Sequence, residues 1–212
     1  MPSTDGQGWQ QFAAMAAERR HAPTGASSAL SQWSVGHPAR LWRAAWEYFD
    51  IRAQTGPADG DAGVLADASM PGAVWFPGVT RNDVDQGLRH AGRGGAAIIG
   101  IAEDGSHTGI GWADLPGRIG AVAAELRRLG VGPGDCVGGY LPDVAEAMVA
   151  FLATAAIGAV WSACGQDYAP QGAAARLAQL EPKVLLASEG YQLNGRLIDK
   201  RADTAELVAL LA

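Results

Sequence analysis

Residues 135–164 read DCVGGYLPDVAEAMVAFLATAAIGAVWSAC, and this stretch decides the fold. The apolar run DCVGGYL has the length of a strand and ends at Pro142, and GAVWSAC is a second run of strand length. Between them DVAEAMVAFLATAAIG predicts a helix, in which Asp143 and Glu146 have capping-box spacing with Asp in place of the usual Ser or Thr. A strand, helix and strand of these lengths predict two parallel strands joined by a right-handed crossover.

The same alternation continues on both sides of this unit. Upstream, GAAIIGIA predicts a strand, and IGWADLPGRIGAVAAELRRLG predicts a helix that ends at Gly130, a natural C-cap. The apolar face of that helix is formed by Ile119, Val122, Leu126 and Leu129. Downstream, residues 170–180 predict a helix and KVLLAS predicts a further strand. The sequence therefore predicts an α/β fold with a mostly parallel sheet, which binds ligands beyond the carboxyl ends of its strands, where SACGQDY lies.

The first ninety residues differ from this pattern. Residues 1–27 are small and polar, and we expect poor order there apart from one short amphipathic helix around residues 9–20. Residues 28–90 predict a helical region, in which LWRAAWEYFDI places an apolar stripe on one helical face and TGPADGDAG forms a turn-rich linker. The stripe consists of Leu41, Trp42, Ala45, Trp46 and Phe49. The alternating region occupies residues 91–212.

Composition argues against several classes of protein. The net charge is -6 and the arginines are scattered, so no cation cluster for a nucleic-acid backbone is present. Cys136 and Cys164 are too few for a disulfide framework and form no C-x-x-C pair, which predicts reduced thiols in the cytoplasm. The N-terminus lacks the basic start and apolar stretch of a signal peptide. The uncharged run 147–166 changes from Ala/Leu-rich to GAVW, which favours a buried helix and strand over a membrane span.

No motif in the sequence predicts a catalytic nucleophile. Ser162 lies in V-W-S-A-C, not in the G-x-S-x-G turn that a hydrolase serine needs, and Ser106 in G-S-H-T-G is one position out of register. Cys164 would need a histidine base close in space, and the surroundings of the four histidines single out none of them. The four are His21, His37, His90 and His107.

The sequence also predicts neither a metal site nor an ATP site. The histidines are far apart and do not have metal-ligand spacing. GRGGAA at 92–97 matches a dinucleotide fingerprint but precedes its strand instead of following one. A loop that cradles ATP phosphates combines Gly, Ser and Thr with a lysine. Neither Lys183 nor Lys200 follows such a loop, so we expect no ATP-binding residue in this chain.

Several short motifs together resemble a known family. They are WSV at 33–35, MPGAVWFPG at 70–78, LGVGPGD at 129–135, GAVWSAC at 158–164, Asp167-Tyr168, LEPKVLL at 180–186 and GYQLNGR at 190–196. In this order they resemble the acetoacetyl-CoA synthetases, which are adenylate-forming acyl-CoA ligases. Acetyl-CoA synthetases would carry a Phe-Gly-Gly-Phe type sequence at Trp161 to Cys164. The resemblance covers roughly residues 28–200.

The resemblance implies a two-step reaction. Acetoacetate attacks the α-phosphate of ATP in the presence of magnesium, pyrophosphate leaves, and the CoA thiol then takes the acyl group from the adenylate. The chain resembles only the first third of such an enzyme, and the family's phosphate loop, magnesium residues, hinge and catalytic lysine lie further downstream. Residues 28–90 would then be the N-terminal helical region of an acyl-CoA synthetase, and residues 91–212 the first part of its AMP-binding domain, with an incomplete sheet. We therefore expect ATP, magnesium and CoA to serve the complete enzyme, and at most CoA to bind this chain, which would be inactive alone.

The resemblance also carries over three CoA-binding positions. Arg196, in NGRLIDK, matches a basic residue that contacts the 3′-phosphate of CoA, since a guanidinium suits a bidentate phosphate contact. Ser162 and Ala163 match a loop of small residues beside the CoA tunnel. The alternatives are an exposed hairpin arginine at Arg196, and plain strand-end packing at Ser162 and Ala163.

Departures from the family pattern leave a second hypothesis open. The usual Ser-Pro-Asp-Phe-Gly is replaced by residues 165–169, GQDYA, and the usual Leu-Asn-Tyr-Ala-Glu-Asn by residues 81–86, RNDVDQ. The leading hypothesis is an N-terminal segment of an acetoacetyl-CoA synthetase, either a shortened form or the product of a broken gene. The second is a non-catalytic binding or interaction module that kept the fold. A sheet that lacks strands would expose an edge and apolar faces, which predicts self-association.

Overall fold

The structure is a computed structural model that describes residues 5–25 and 27–212, and it divides into two compact units, Met1–Arg81 and Asn82–Ala212. The sequence had suggested a boundary after residue 90. Residues 82–90 belong instead with the second unit, because Asn82 Nδ2 donates to the carbonyl of Ala155 at 2.9 Å and Val84 is buried in that unit's core.

The first unit is mainly helical. Its elements in chain order are α1 (Asp5–Arg20), α2 (Ser27–Gly36), α3 (Pro38–Tyr48), a 3₁₀ turn (Asp61–Gly63), β1 (Leu65–Asp67) and β2 (Val74–Trp75). Strands β1 and β2 pair antiparallel. The turn-rich segment 55–63 is held against α3, because the Arg43 guanidinium donates to the carbonyls of Pro57, Ala58 and Gly60.

Helix α1 is longer and better packed than the sequence suggested. We expected poor order over residues 1–27 apart from one short helix around residues 9–20; the helix runs from Asp5 to Arg20 and buries Phe12 and Ala16, and residues 1–4 and 26 lie outside the described residues. The ring of Tyr48 meets Phe12 edge-on at 5.4 Å between centroids, and its hydroxyl donates to the carbonyl of Gly8 at 2.9 Å. The composition of this segment is polar on average, so the sequence did not indicate that a few apolar residues, such as Phe12 and Ala16, anchor the helix.

The apolar stripe of α3 is divided between two neighbours. Leu41 and Ala45 pack with the α1 and α2 core, whereas Trp42 meets Trp75 edge-on at 6.0 Å and Trp46 lies 5.0 Å from Phe76. Trp42 and Phe49 stay 49% and 54% exposed, respectively. The stripe therefore does not form a single buried face, although the helix that its spacing predicted is present.

The second unit carries the alternating pattern. Its elements are α4 (Asp83–Leu88), β3 (Ala96–Ile101), β4 (His107–Gly111), α5 (Leu115–Arg128), β5 (Cys136–Tyr140), α6 (Ala145–Ala156), β6 (Val160–Cys164), α7 (Pro170–Leu177), a 3₁₀ turn (Ala178–Leu180), β7 (Val184–Ala187), β8 (Gly190–Leu193), β9 (Arg196–Asp199) and α8 (Arg201–Leu211).

Strands β5, β6 and β7 form a parallel sheet in the order β6-β5-β7. This confirms the predicted α/β class and parallel pairing. Strands β3 and β4 pair antiparallel with each other, as do β8 and β9. In the part of the chain that the structure describes, β6 pairs with β5 alone, and the self-association inferred from such an edge stays a prediction.

Strand β5 is buried along its whole length, and its two glycines permit close packing. A Cβ at Gly139 would lie 2.8 Å from ring atoms of Trp161 and 3.0 Å from the Ala163 Cβ. At Gly138 it would lie 3.2 Å from the Leu185 side chain. Side chains of both neighbouring strands therefore pack over β5 at the two positions where it carries no side chain.

Helix α5 starts later than predicted, because residues 107–111 form strand β4 instead. Its end follows the prediction: Gly130 has a φ of +85°, and the N–H groups of Gly130 and Val131 donate to the carbonyls of Arg127 and Leu126, which is a Schellman motif. Val131 is consequently buried, and Leu129, assigned to the buried face, is 48% exposed.

The capping box predicted at Asp143 is wrong. Helix α6 begins at Ala145 with Val144 as its N-cap in extended conformation, and no side chain caps it. This start is one residue later than expected, so Glu146 occupies the second helical position and cannot complete the box. No helix among the described residues is long and apolar enough to cross a membrane.

We predict opposite effects for two Gly→Ala substitutions in this unit. Gly139→Ala should lower the stability by about 1–3 kcal/mol, because its methyl overlaps Trp161 and Ala163. Gly120→Ala, on an exposed turn of α5 with no neighbour within 4 Å, should raise it by about 0.5–1 kcal/mol. Thermal melting followed by circular dichroism measures both. Equal melting temperatures for the two variants would contradict the tight packing of β5.

Candidate functional site

The parallel strands end together at one edge of the sheet. Tyr140, the last residue of β5, is in register with Cys164 of β6 and Ala187 of β7. The loops that follow the three strands, 141–144, 165–169 and 188–189, therefore leave the sheet side by side. This is the edge at which parallel sheets bind ligands.

A buried polar network joins these loops. Gln166 is 2% exposed; its Nε2 donates to the Ser188 carbonyl at 2.7 Å, and its Oε1 accepts from the Ser188 hydroxyl at 2.9 Å. The Tyr140 hydroxyl donates to the Tyr168 carbonyl at 2.6 Å, and burial raises the pKa of that phenol. The polar groups thus satisfy one another without a ligand, and they fix the loop after β6 against the loop after β7.

Two adjoining cavities lie at this edge. One, of about 500 Å³, is largely apolar and is bounded by β3, the start of α6 and the end of β6. The other, of about 640 Å³, lies between the end of β3, the loops after β5 and β6, and the β8–β9 hairpin. Both include residues 141–144 and Gly165 in their walls. Because they share these walls, we refer to the two cavities together as the cleft; each has a volume that takes an organic ligand.

The cleft contains one of the two small residues predicted to bind CoA on β6. Ala163 lines the 500 Å³ cavity together with Trp161 and Cys164. Ser162 is not among the described residues that line either cavity, and its side chain points to the face of β6 opposite to that of Trp161 and Ala163. The assignment of a CoA contact to Ala163 and Ser162 stays a prediction, and the geometry favours Ala163.

Arg196 lies at the tip of the β8–β9 hairpin. Asn194 and Gly195 form its two-residue turn with φ of +51° and +71°, the signature of a type I′ turn, and Arg196 opens β9 opposite Leu193. Its side chain is exposed and does not line either cavity among the described residues, whereas Tyr191, Gln192 and Leu197 of the same hairpin line the larger one. Arg196 is thus beside the cleft, at its rim.

Burial makes the Cys164 thiol a poor nucleophile. Cys164 is 8% exposed, and burial raises the pKa of its thiol, which keeps it protonated at neutral pH.

No group of His, Cys, Asp and Glu that could hold a metal ion occurs among the residues that the structure describes. Both lysines are in ion pairs: Lys183 contacts Asp135 at 2.8 Å and Lys200 contacts Asp203 at 2.6 Å.

Sequence reasoning missed two residues that shape this edge. Gln166 was noted only as a departure from a family pattern, and Glu103 was not considered at all. Glu103 accepts hydrogen bonds from the backbone of the β8–β9 turn, 91 residues further along the chain. No local signal could reveal either role, because both depend on segments that meet only in the folded chain.

A family model described as AMP-binding enzyme matches residues 89–211. Over 174 residues the chain is 33% identical to an acetoacetyl-coenzyme A synthetase of Rhizobium meliloti, covering 81% of this chain and 26% of that protein. It is also 33% identical over 188 residues to a malonamoyl-CoA synthetase of Penicillium aethiopicum, covering 86% of this chain and 26% of that protein. The chain therefore spans about a quarter of the length of these curated relatives.

A solved structure is similar over nearly the whole chain. The acetoacetyl-CoA synthetase from Streptomyces lividans is 43% identical, with a TM-score of 0.90, over 95% of this chain and 31% of that one. The similarity is to an N-terminal portion of these enzymes, as the sequence motifs predicted.

We predict that Gln166→Ala lowers the stability by about 1–3 kcal/mol, because the Ser188 carbonyl loses the donor amide of Gln166 and a buried side chain is removed, while the Ser188 hydroxyl keeps its contacts with Gly190. Hydrogen exchange should rise in residues 188–191. The matched control is Gln171→Ala, whose amide contacts Glu206 on the surface and whose loss should change stability by less than about 0.5 kcal/mol. Equal effects of the two variants in thermal melts would contradict a structural role for the Gln166 network.

Proposed function

The chain belongs to the family of AMP-binding enzymes, and from this we propose that it forms the first part of an acetoacetate–CoA ligase. The complete enzyme would join acetoacetate to CoA and convert ATP to AMP and pyrophosphate. The observation that carries the proposal is the similarity to the Streptomyces lividans enzyme, which extends over 95% of this chain at 43% identity.

The proposed acyl substrate is a short 3-oxo acid, and acetoacetate is the first choice. The names of the two curated relatives point to acetoacetate and malonamate, and both acids carry a carbonyl group two bonds from the reacting carboxylate. An enzyme that accepts either must leave room for a short, branched polar end. The largely apolar 500 Å³ cavity beside Ala163 and Trp161 is close to where such a group would enter.

The role proposed for this chain is to form part of the CoA site. The cleft would hold the pantetheine arm, for which the small side chain of Ala163 leaves room, and Arg196 at its rim would bind the 3′-phosphate. The chain supplies neither a free lysine nor a Gly/Ser/Thr-rich loop for the ATP phosphates, since Lys183 and Lys200 are held by Asp135 and Asp203. Because positioned phosphate contacts provide most of the rate in such transfers, this chain would not turn over alone.

The alternative is a non-catalytic binding module with the same fold. The observation that favours it is the Gln166–Ser188 network, which fills the exit of β6 with satisfied protein contacts at a position where the family pattern is absent. Such a module would bind CoA but would not support acyl transfer when the rest of an enzyme is supplied.

A fusion tests the proposal most sharply. This chain, joined to the remaining two-thirds of the Streptomyces lividans enzyme, should release pyrophosphate in the presence of acetoacetate, ATP, magnesium and CoA. The chain alone should give no release above background. An inactive fusion that folds and binds CoA would favour the non-catalytic module. A fusion that turns over malonamate faster than acetoacetate would contradict acetoacetate as the preferred substrate.

A second prediction concerns CoA binding by the chain itself. Arg196→Ala should weaken CoA binding in calorimetry about fivefold to tenfold, because a charge-assisted contact to phosphate is lost. Arg127→Ala is the matched control: it removes the same charge from the exposed last turn of α5 and should leave the dissociation constant within about twofold. Equal losses in both variants would contradict a specific contact.

A further inference from the structure

The helical unit contains a cavity that is lined mainly by charged side chains. Its volume is about 250 Å³, and its walls come from the end of α1, from α3 and from residues 59–61. We refer to it as the arginine pocket. It shares no lining residue with the cleft, whose walls belong to the second unit. The charged residues of its lining are Arg19, Arg20, His21, Arg40, Arg43, Glu47, Asp59 and Asp61.

The fold gathers basic residues that are apart in the sequence. Arg19 and Arg20 lie in the last turn of α1, and Arg40 and Arg43 lie three residues apart on α3, which places them on one helical face. Four of the six arginines of the helical unit therefore line a single pocket. A compact pocket of this kind suits a small anion, whereas a nucleic-acid backbone needs an extended basic surface.

Two of the four guanidinium groups have a carboxylate partner inside the pocket. Glu47 pairs with Arg20, and both side chains are largely buried. The Asp61 carboxylate lies 3.5 Å from the Nε of Arg40, and both of these side chains are more exposed. The first pair therefore holds the pocket wall, and the second can rearrange around a ligand at little cost.

The other two guanidinium groups keep their positive charge unpaired with a carboxylate. Arg43 donates to backbone carbonyls of the loop 57–60, which carry no net charge. Arg19 is exposed and forms no ion pair among the described residues. Since four guanidinium groups line the pocket and only three carboxylates do, the pocket has an excess of positive charge.

The third carboxylate, Asp59, indicates which anion fits. Asp59 is exposed and has neither an ion pair nor a hydrogen bond among the described residues. A carboxylate repels a fully deprotonated anion but accepts a hydrogen bond from one that keeps an O–H group. At neutral pH inorganic phosphate keeps one O–H and sulfate keeps none, and a phosphate monoester, with a second pKa of about 6, has mostly lost its last proton.

We propose that the arginine pocket binds inorganic phosphate as a partly protonated anion. The guanidinium groups of Arg19 and Arg40 donate to the phosphate oxygens, and the Asp59 carboxylate accepts the phosphate O–H. The volume of about 250 Å³ is below the range typical of organic ligands and is ample for this anion. The site lies in the first unit, and the proposal does not rest on the proposed function.

The helical unit offers variants that change the pocket and controls that do not. Arg19→Gln and Arg40→Gln each remove one donor group, and Asp59→Asn removes the proposed acceptor. Arg52→Gln and Glu18→Gln remove the same charges from exposed positions of this unit that do not line the pocket. Because Arg19 and Asp59 are exposed and have no partner among the described residues, their substitutions should leave the fold intact.

The probes are inorganic phosphate, sulfate and glycerol phosphate at pH 7.5 and constant ionic strength, with amide resonances of residues 19–21 and 59–61 followed by NMR. Inorganic phosphate should bind saturably and about fivefold or more tighter than the other two anions. Arg19→Gln and Arg40→Gln should weaken its binding about threefold to tenfold, and Arg52→Gln by less than about twofold.

Asp59→Asn tests the role of the phosphate proton. An amide donates to any oxyanion and no longer repels sulfate, so the three anions should bind this variant within about twofold of one another. Glu18→Gln should keep the preference of the unchanged protein. This change in selectivity would not follow from a loss of packing, which would weaken all three anions alike.

Three results would overturn the inference. The first is phosphate-induced shifts that do not saturate or that avoid the pocket, and the second is equal weakening in Arg19→Gln and Arg52→Gln, which would reduce the effect to charge at a distance. The third is a preference for phosphate that survives Asp59→Asn. Glycerol phosphate that binds as tightly as inorganic phosphate would place the phosphate group on a larger molecule and would contradict the choice of the free anion.

Discussion

Strand β5 lies between two parallel neighbours and is buried at every residue, and its glycines leave room for side chains of the neighbouring strands to pack over it. Gly139 admits the Trp161 ring and Gly138 admits the Leu185 side chain. A larger residue at Gly139 would collide with Trp161 and Ala163, and one at Gly138 would crowd Leu185. Because the loops after all three strands begin one residue beyond this core, their positions follow directly from how tightly the strands pack.

The polar network at the carboxyl edge depends on the register of these strands. Tyr140 can reach the loop after β6, and Gln166 can reach Ser188 after β7, only if the three strands end in register. The network in turn fixes the floor of the cleft, while the β8–β9 hairpin and the end of β3 form its outer walls. The inner part of the site is therefore held by buried hydrogen bonds, and its rim by the exposed contact between Glu103 and the hairpin turn.

The sequence predicted what local patterns encode. Apolar periodicity located β5, α6 and β6, and Gly130 marked the end of α5 because only a residue that tolerates positive φ fits there. It did not predict β4, since HTGIG has too few bulky residues for a strand signal and precedes a strongly helical run. It placed the start of α6 one residue early, because spacing alone cannot show which backbone conformation Val144 adopts.

The site was predictable only in part. The carboxyl edge follows from the strand order, whereas the assignments of Ser162, Ala163 and Arg196 to CoA rest on resemblance and stay predictions. That Ser162 and Ala163 point to opposite faces follows from strand geometry once β6 is assigned. The pairing of Gln166 with Ser188 and of Glu103 with Asn194 does not, since each joins segments 22 and 91 residues apart through contacts that no local pattern records.

The central claim is that the edge where β5, β6 and β7 end, together with the β8–β9 hairpin, binds CoA. Hydrogen–deuterium exchange of this chain with and without CoA tests it most directly. The account predicts that CoA changes exchange in the loop 165–169 and in the hairpin segment 188–196, with no change in the helical unit at residues 5–25. An unchanged exchange pattern, or changes confined to the first unit, would contradict it.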